Sequence, residues 1–236
     1  DISIYVVLLN HIGIFSANSI GDDIIVRHND ENNTTTLHHL RQQIKKAEGQ
    51  ANFCLSDFIA PVETEQEDYI GCFAVSSGFG VDELVKKYES NHDDFKAILV
   101  KALADRLAEA SAEYVHQLVR TKIWAYQPEE TWSNDDLIKE KYQGIRPAPG
   151  YPACPDHTEK DALWKLLDVQ NNIGIQLTES KAMFPAASVS GWYFAHEDAK
   201  YFAISEIQDD QLLDYAERKK WNVETARKWL GPILEN

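Results

Sequence analysis

QGIRPAPGYPACPDHTEK, residues 143–160, is the stretch on which the reading of this chain turns. One arginine, Arg146, stands among four prolines, just ahead of a helix start. Proline holds φ at about −65° and has no N–H to donate, and the residue before each proline is pushed to extended backbone. Arg146, Ala148, Tyr151 and Cys154 are all such residues. The loop is therefore stiff, and its backbone polar groups are largely free. A stiff loop loses little entropy when it grips a ligand, and the planar fork of Arg146 suits a carboxylate or phosphate. On composition alone, a rigid structural crossover explains the same residues.

Working outward, Asp156 and Glu159 form a capping-box-like pair. Leu163, Trp164, Leu166 and Leu167 give the following helix its apolar face, and NNIG (171–174) stops it. Residues 188–194 and 201–207 read as a β-hairpin around HEDAK, with Gly191, Ser188 and Ser190 permitting close approach of backbone or ligand. DDQLLDYAERKK and VETARKWLG close the chain as two helices, the last ending at Gly231-Pro232.

Upstream, the strongest helix runs over 93–124. Phe95, Ile98, Leu99, Ala102, Leu103, Leu107, Ala110, Tyr114, Leu118 and Val119 follow i, i+3, i+4 spacing and predict a broad buried stripe. Asp105, Glu109, Glu113 and His116 share another side, either a solvated face or a cleft wall that meets a cation. DDIIVRH (22–28) reads as a strand and NDENN (29–33) as the turn after it. HHLRQQIKKAEG (38–49) is helix-like and closes at Gly49. FCLSDFIA and YIGCFAV read as two central strands joined by the acidic loop PVETEQED.

The 236 residues suffice for one substantial core or a domain with an appendage. A net charge of −15 argues against nucleic acid and against anionic membrane surfaces. No apolar run approaches a membrane span, and the opening DISIYVVLLNHIGIF lacks the basic start of a signal peptide. Beginning at Asp1, the chain reads as a piece of a longer polypeptide or a processed one. Cys54, Cys72 and Cys154 are odd in number and widely spaced, so reduced thiols in a cytoplasm are expected.

GxSxG, HExxH, Walker and GxGxxG patterns are missing from the sequence. No base stands beside a cysteine, and the adjacent His38 and His39 diverge on a helix, so no metal site is expected. No catalytic side chain is assigned; a site that positions a reactive cofactor is better supported.

The signature loop also resembles that of the activation domain of cobalamin-dependent methionine synthase, which binds S-adenosylmethionine. ANSIGDDI (17–24), HHLRQQ (38–43), CLSDFIAP (54–61), DYIGCFAV (68–75), VKALADRLAEASAEYVH (100–116), LTESKAMFPAASVSGWYF (177–194) and KYFAISEIQDDQLLDYAERK (200–219) match the same family in the same order. The resemblance implies an α/β domain of α+β type, a twisted, mainly antiparallel sheet surrounded by helices. It covers residues 14–236 and leaves 1–13 unmatched. It implies reactivation of oxidised cobalamin, the corrinoid being held by a separate cobalamin-binding domain and the electron coming from flavodoxin or a related reductase. Turnover of the whole enzyme, homocysteine methylation, is not expected of the isolated chain.

Carried over residue by residue, the resemblance implies ligand contacts from Arg146, from Ala148, Gly150 and Tyr151 in the loop, from Glu109 on the long helix, and from Tyr201 with Phe202 on the second hairpin strand. Separately, the acidic stripe containing Asp105 and Glu109 is expected to help receive the cobalamin-binding domain, with Asp105 as the docking residue. Family domains also carry an N-terminal segment that gives the ligand an aspartate. Nothing upstream of residue 14 resembles it, and HIGIFSANS stands where an aromatic-rich run is usual, so lowered affinity is expected. Two alternatives stay open: a non-catalytic adenosylmethionine-binding or interaction module for a corrinoid protein, and a self-contained methyltransferase for another acceptor.

Overall fold

The sheet grows from an apolar run near the start of the chain. In the computed structural model, which describes residues 8–28 and 33–234, Leu9–Ile20 forms β1 and turns tightly through Gly21 (φ 57°) into β2, Asp23–Arg27. Thr34–His38 is β3, Asp68–Ser76 is β4 and Ser188–Tyr193 is β7, while Gln176–Leu177 and Met183–Phe184 pair as the short β5 and β6. The main sheet has the order β3-β2-β1-β4-β7, every neighbour antiparallel. The expected antiparallel sheet wrapped by helices is thus present. β1 pairs with β4 along its length, from Leu9 opposite Ser76 to Ala17 opposite Asp68. The turn expected at 29–33 falls mostly outside the described residues.

Both faces of the sheet are covered. Phe73, Val75 and Tyr193 point to one face, against Ala112, Val115 and Val119 of the long helix. Ile70, Cys72, Ala74, Trp192 and Phe194 point to the other, where they join Leu163, Leu167, Val169 and Ile175. The helices are α1 (Val81–Ser90), α2 (Asp94–Leu118, extended by a π-type turn over Val119–Ile123), α3 (Asn134–Ile138), α4 (Glu159–Leu167), α5 (Val169–Ile173), α6 (Asp209–Arg218) and α7 (Val223–Leu230). A smaller core of Leu40, Ile204, Ile207, Leu212, Tyr215 and Leu230 holds α6 and α7.

Four expectations are corrected. The large residues of α2 face outward: Phe95 is 75% and Ile98 67% exposed, and Leu103 and Tyr114 are exposed as well. The buried stripe is Ala97, Ala104, Ala108, Ala112 and Val115, small side chains that let the helix sit close to α1 and the sheet. Residues 39–47 are not helical, because distant partners pin them: Arg41 N–H donates to Gln211 Oε1 (2.6 Å), Gln42 N–H to the Phe53 carbonyl (3.0 Å) and Gln42 Nε2 to the Ala203 carbonyl (2.8 Å). FCLSDFIA is a 3₁₀ turn over Leu55–Phe58, closed by Asp57 accepting from the Cys54 N–H (2.8 Å). Residues 201–206 form no strand; Ile204 N–H instead donates to the Pro152 carbonyl at 2.8 Å.

Helix α4 begins as expected, without the reciprocal capping box. Asp156 accepts from the Thr158 N–H (2.8 Å), and Glu159 accepts from the His38 N–H (3.0 Å). Lys219 binds both acids, at 2.7 and 2.8 Å. This buried cluster ties α6 to the end of the signature loop. The three cysteines are free and buried. Among the described residues no helix is long and apolar enough to cross a membrane.

Candidate functional site: a cleft between the signature loop and the long helix

The signature loop lies along the free edge of β7. Ile145 and Phe194 exchange N–H···O bonds at 3.0 Å in both directions, and Trp192 N–H donates to the Pro147 carbonyl at 2.9 Å. Gly144 takes φ 84°, and a Cβ there would lie 2.4 Å from the Phe194 carbonyl oxygen. Beyond Pro149 the chain folds back on itself: Gly150 N–H donates to the Cys154 carbonyl (2.7 Å) and Cys154 N–H to the Tyr151 carbonyl (2.9 Å). Gly150 has φ 92°, and a Cβ would strike the His157 ring. Only glycine fits such a position without strain. The prolines stiffen the loop and the sheet edge supplies its register.

Between this loop and α2 lies a cleft of about 290 Å³. Arg146, Ala148 and Tyr151 line it from the loop, Glu109 from α2, and Tyr201 and Phe202 from the segment after β7. Six of the seven expected ligand residues therefore meet in one place. Gly150 does not line this cleft; it lines a neighbouring groove with Tyr151 and Trp229. Asp105 is exposed on α2, one turn before Glu109, and does not line the cleft.

Among the wall residues that the sequence reading did not assign to the site, Glu140 and Phe73 bear on its chemistry. Glu140 enters from the turn after α3, where it adopts φ 50°, and no motif marks it. Phe73 comes from β4, where its alternation signals only a core residue. The acidic stripe on α2 proves graded: Asp105 and Glu109 are exposed, Glu113 is half-buried and His116 is fully buried.

Arg146 is held at both ends. Its backbone N–H donates to the Tyr201 hydroxyl (3.0 Å), and its Nη2 to Glu113 Oε2 (2.7 Å). Burial works against the guanidinium charge, but the Glu113 carboxylate, with Tyr201 and Tyr142, more than offsets it and raises the pKa. Burial also raises the Tyr201 phenol, against the opposing pull of Arg146, so it stays protonated. His116 is pushed well below the usual imidazole range by burial, then by Arg120 and Arg146. It stacks on Tyr193 at 4.9 Å. Behind it, Arg120 and Glu130 form a fully buried ion pair at 2.6 Å, and the Arg120 guanidinium lies 3.8 Å over the Tyr142 ring. These contacts fix the segment that delivers Glu140 and the loop.

The cleft therefore offers one guanidinium, two carboxylates and aromatic faces. That set accommodates a carboxylate, an ammonium or sulfonium, and a planar ring on one ligand. Among the described residues, no cluster of His, Cys, Asp and Glu could hold a metal ion.

A family model described as the activation domain of vitamin B12 dependent methionine synthase matches residues 6–220. Among solved structures, the MetH reactivation domain bound to AdoHcy is similar to this chain at 54% sequence identity, with a TM-score of 0.91. The match covers 95% of this chain and 70% of that one.

Proposed function

The chain belongs to the activation-domain family of vitamin B12 dependent methionine synthase, and from that premise we propose that its cleft binds S-adenosylmethionine for reductive methylation of cob(II)alamin. The observation that carries this reading is the convergence of Arg146, Glu109, Glu140, Tyr151 and Tyr201 on one cleft. Arg146 receives the amino-acid carboxylate of the ligand through its planar fork. Glu109 and Glu140 face the ammonium and the sulfonium, and Tyr151, Tyr201 and Phe202 supply aromatic surface for cation and adenine. Ala148 lines the path with backbone. Gly150 lets the loop turn so that the ring of Tyr151, 61% exposed, stands at the cleft mouth.

When the ligand is bound, its sulfonium supplies a methyl cation and a neutral thioether leaving group. Cob(II)alamin, one electron and that methyl group together give methylcobalamin and S-adenosylhomocysteine. This chain's residues bind, orient and partly desolvate; none moves a proton. Orientation alone can be worth about 7–11 kcal/mol of barrier. The cobalamin sits on a separate cobalamin-binding domain, flavodoxin or a related reductase donates the electron, and the setting is cytoplasmic. We assign the sheet from its first strand, Leu9–Ile20, onward to the activation domain, and the whole enzyme methylates homocysteine.

The test is calorimetric titration of the chain with S-adenosylmethionine and S-adenosylhomocysteine, beside Arg146→Ala. Saturable binding that the variant loses is the expected result, followed by methyl transfer once a cobalamin-binding domain and a reductant are added. Binding without transfer would leave an adenosylmethionine-binding module. Transfer without any corrinoid would point to a self-contained methyltransferase.

A further inference from the structure

We propose that Glu113 is the positioning residue of the carboxylate subsite: it acts through Arg146 and does not touch the ligand. The proposal rests on the assignment of Arg146 to the ligand carboxylate. Glu109 and Glu113 are one helical turn apart on α2, yet they do different things. Glu109 lines the cleft, whereas Glu113 does not. Its Oε2 instead accepts from Arg146 Nη2 at 2.7 Å, with the two side chains only 29% and 20% exposed.

An arginine head on four rotatable bonds carries rotamer entropy that must be lost before the fork can grip a planar anion. Here the loss is already taken. The Arg146 backbone is fixed by the Tyr201 hydroxyl, and its neighbours Ile145 and Pro147 are hydrogen-bonded to Phe194 and Trp192. The far end is fixed by Glu113 through Nη2 alone, while Nε is buried and makes no hydrogen bond.

Among the described residues, no cation other than Arg146 forms an ion pair with Glu113. His116, one turn further into the interior, is kept neutral, stacks on Tyr193 and meets Tyr142 edge-on. Arg120 is committed to Glu130 through Nε and Nη2. Because Glu113 neutralises Arg146, the pair attracts anions weakly at long range. It then selects by hydrogen-bond geometry at contact, which favours a flat carboxylate over a diffuse negative field.

The test is binding of two ligands to the whole chain: S-adenosylhomocysteine and its decarboxylated analogue, which keeps the ammonium. Glu113→Ala should weaken the first about tenfold, the scale of one charge-assisted hydrogen bond, and leave the second within about twofold. Glu113→Gln, which keeps an acceptor oxygen, should fall between. In an Arg146→Ala background the Glu113 substitution should add nothing. Equal weakening of both ligands would make Glu113 merely structural, and tighter binding by Glu113→Ala would make it a competitor of the ligand; either overturns the proposal. If wild type binds neither ligand, the ligand assignment fails. The Arg146 guanidinium ¹⁵N signals then decide for Glu113: hindered rotation in wild type that is lost in Glu113→Gln supports the fixed pair, and unchanged signals overturn it.

Discussion

Gly191 and Pro147 lie backbone against backbone. The Pro147 carbonyl accepts the Trp192 N–H at 2.9 Å, and a Cβ built on Gly191 would stand 2.6 Å from that same oxygen. The signature loop therefore closes the open edge of β7 at the one residue that has no side chain. Its prolines bring no N–H of their own, so the sheet stops there and does not invite another strand.

Gly191→Ala should force loop and strand apart. The obstacle is a backbone oxygen, with the Phe73 ring at 3.0 Å behind it, so neither neighbour can swing away. Overpacking of this kind costs about 1–3 kcal/mol. Arg146 adjoins Pro147, so affinity for S-adenosylhomocysteine should fall with stability. Denaturant midpoints and calorimetry check both, and a wild-type midpoint with wild-type affinity would mean the loop is not seated on β7.

Tyr201→Phe removes a single acceptor. The Arg146 N–H loses its partner at 3.0 Å while the aromatic face stays. Tyr201 is partly exposed, so water can reach the freed N–H, and the cost should sit near the lower end of about 1–3 kcal/mol. Affinity for S-adenosylhomocysteine should drop several-fold with little change in melting temperature. Tyr201→Ala, which also loses the ring, should bind more weakly still. Equal affinities for the two variants would show that the ring contributes nothing.

What the sequence disclosed, and what it withheld, follows from the range of the forces involved. The loop was legible because proline and glycine constrain the backbone locally, strands β4 and β7 because their side chains pack on both faces, and β2 because its buried side chains alternate. The buried face of α2 was not: the helix carries a stripe of large apolar residues and an offset stripe of alanines, and periodicity marks both without saying which one goes inward. Closeness to the sheet decides for the alanines. Residues 39–47 take their conformation from Gln211 and Ala203, more than 150 positions away, which no local pattern reveals. In the site, Arg146 was marked by its own stiff loop, Glu109 and Tyr201 were reached through the family resemblance, and Glu140 sits on a turn whose sequence carries no motif.

Two buried histidines set the acid limit of the fold. His39 is 1% exposed with neither ring nitrogen bonded, and burial lowers its pKa to about 3. His116 is lowered as well, first by burial. In the unfolded chain both take up protons at about pH 6.5. A depressed folded pKa gives stability that is complete above that value and is lost as pH falls below it. Stability should decline by up to about 1.4 kcal/mol per pH unit per histidine below pH 6.5. Urea midpoints between pH 7.5 and 5 measure the slope, and His39→Leu should flatten it. An unchanged slope would mean that His39 is protonated in the fold.

Asp105 allows partner docking to be separated from ligand binding. It is exposed on α2, one turn before Glu109, and lies outside the cleft. Nearby, Ile98, Leu99 and Leu103 leave apolar surface in water on the same helix. If the cobalamin-binding domain is received there, Asp105→Lys should slow reactivation several-fold while leaving the affinity for S-adenosylhomocysteine within about twofold of wild type. The deficit should shrink as salt is raised, because exposed charges are screened over about 8–10 Å at physiological ionic strength. Equal loss of binding and reactivation would place Asp105 at the ligand instead, and full activity at low salt would remove it from the docking surface.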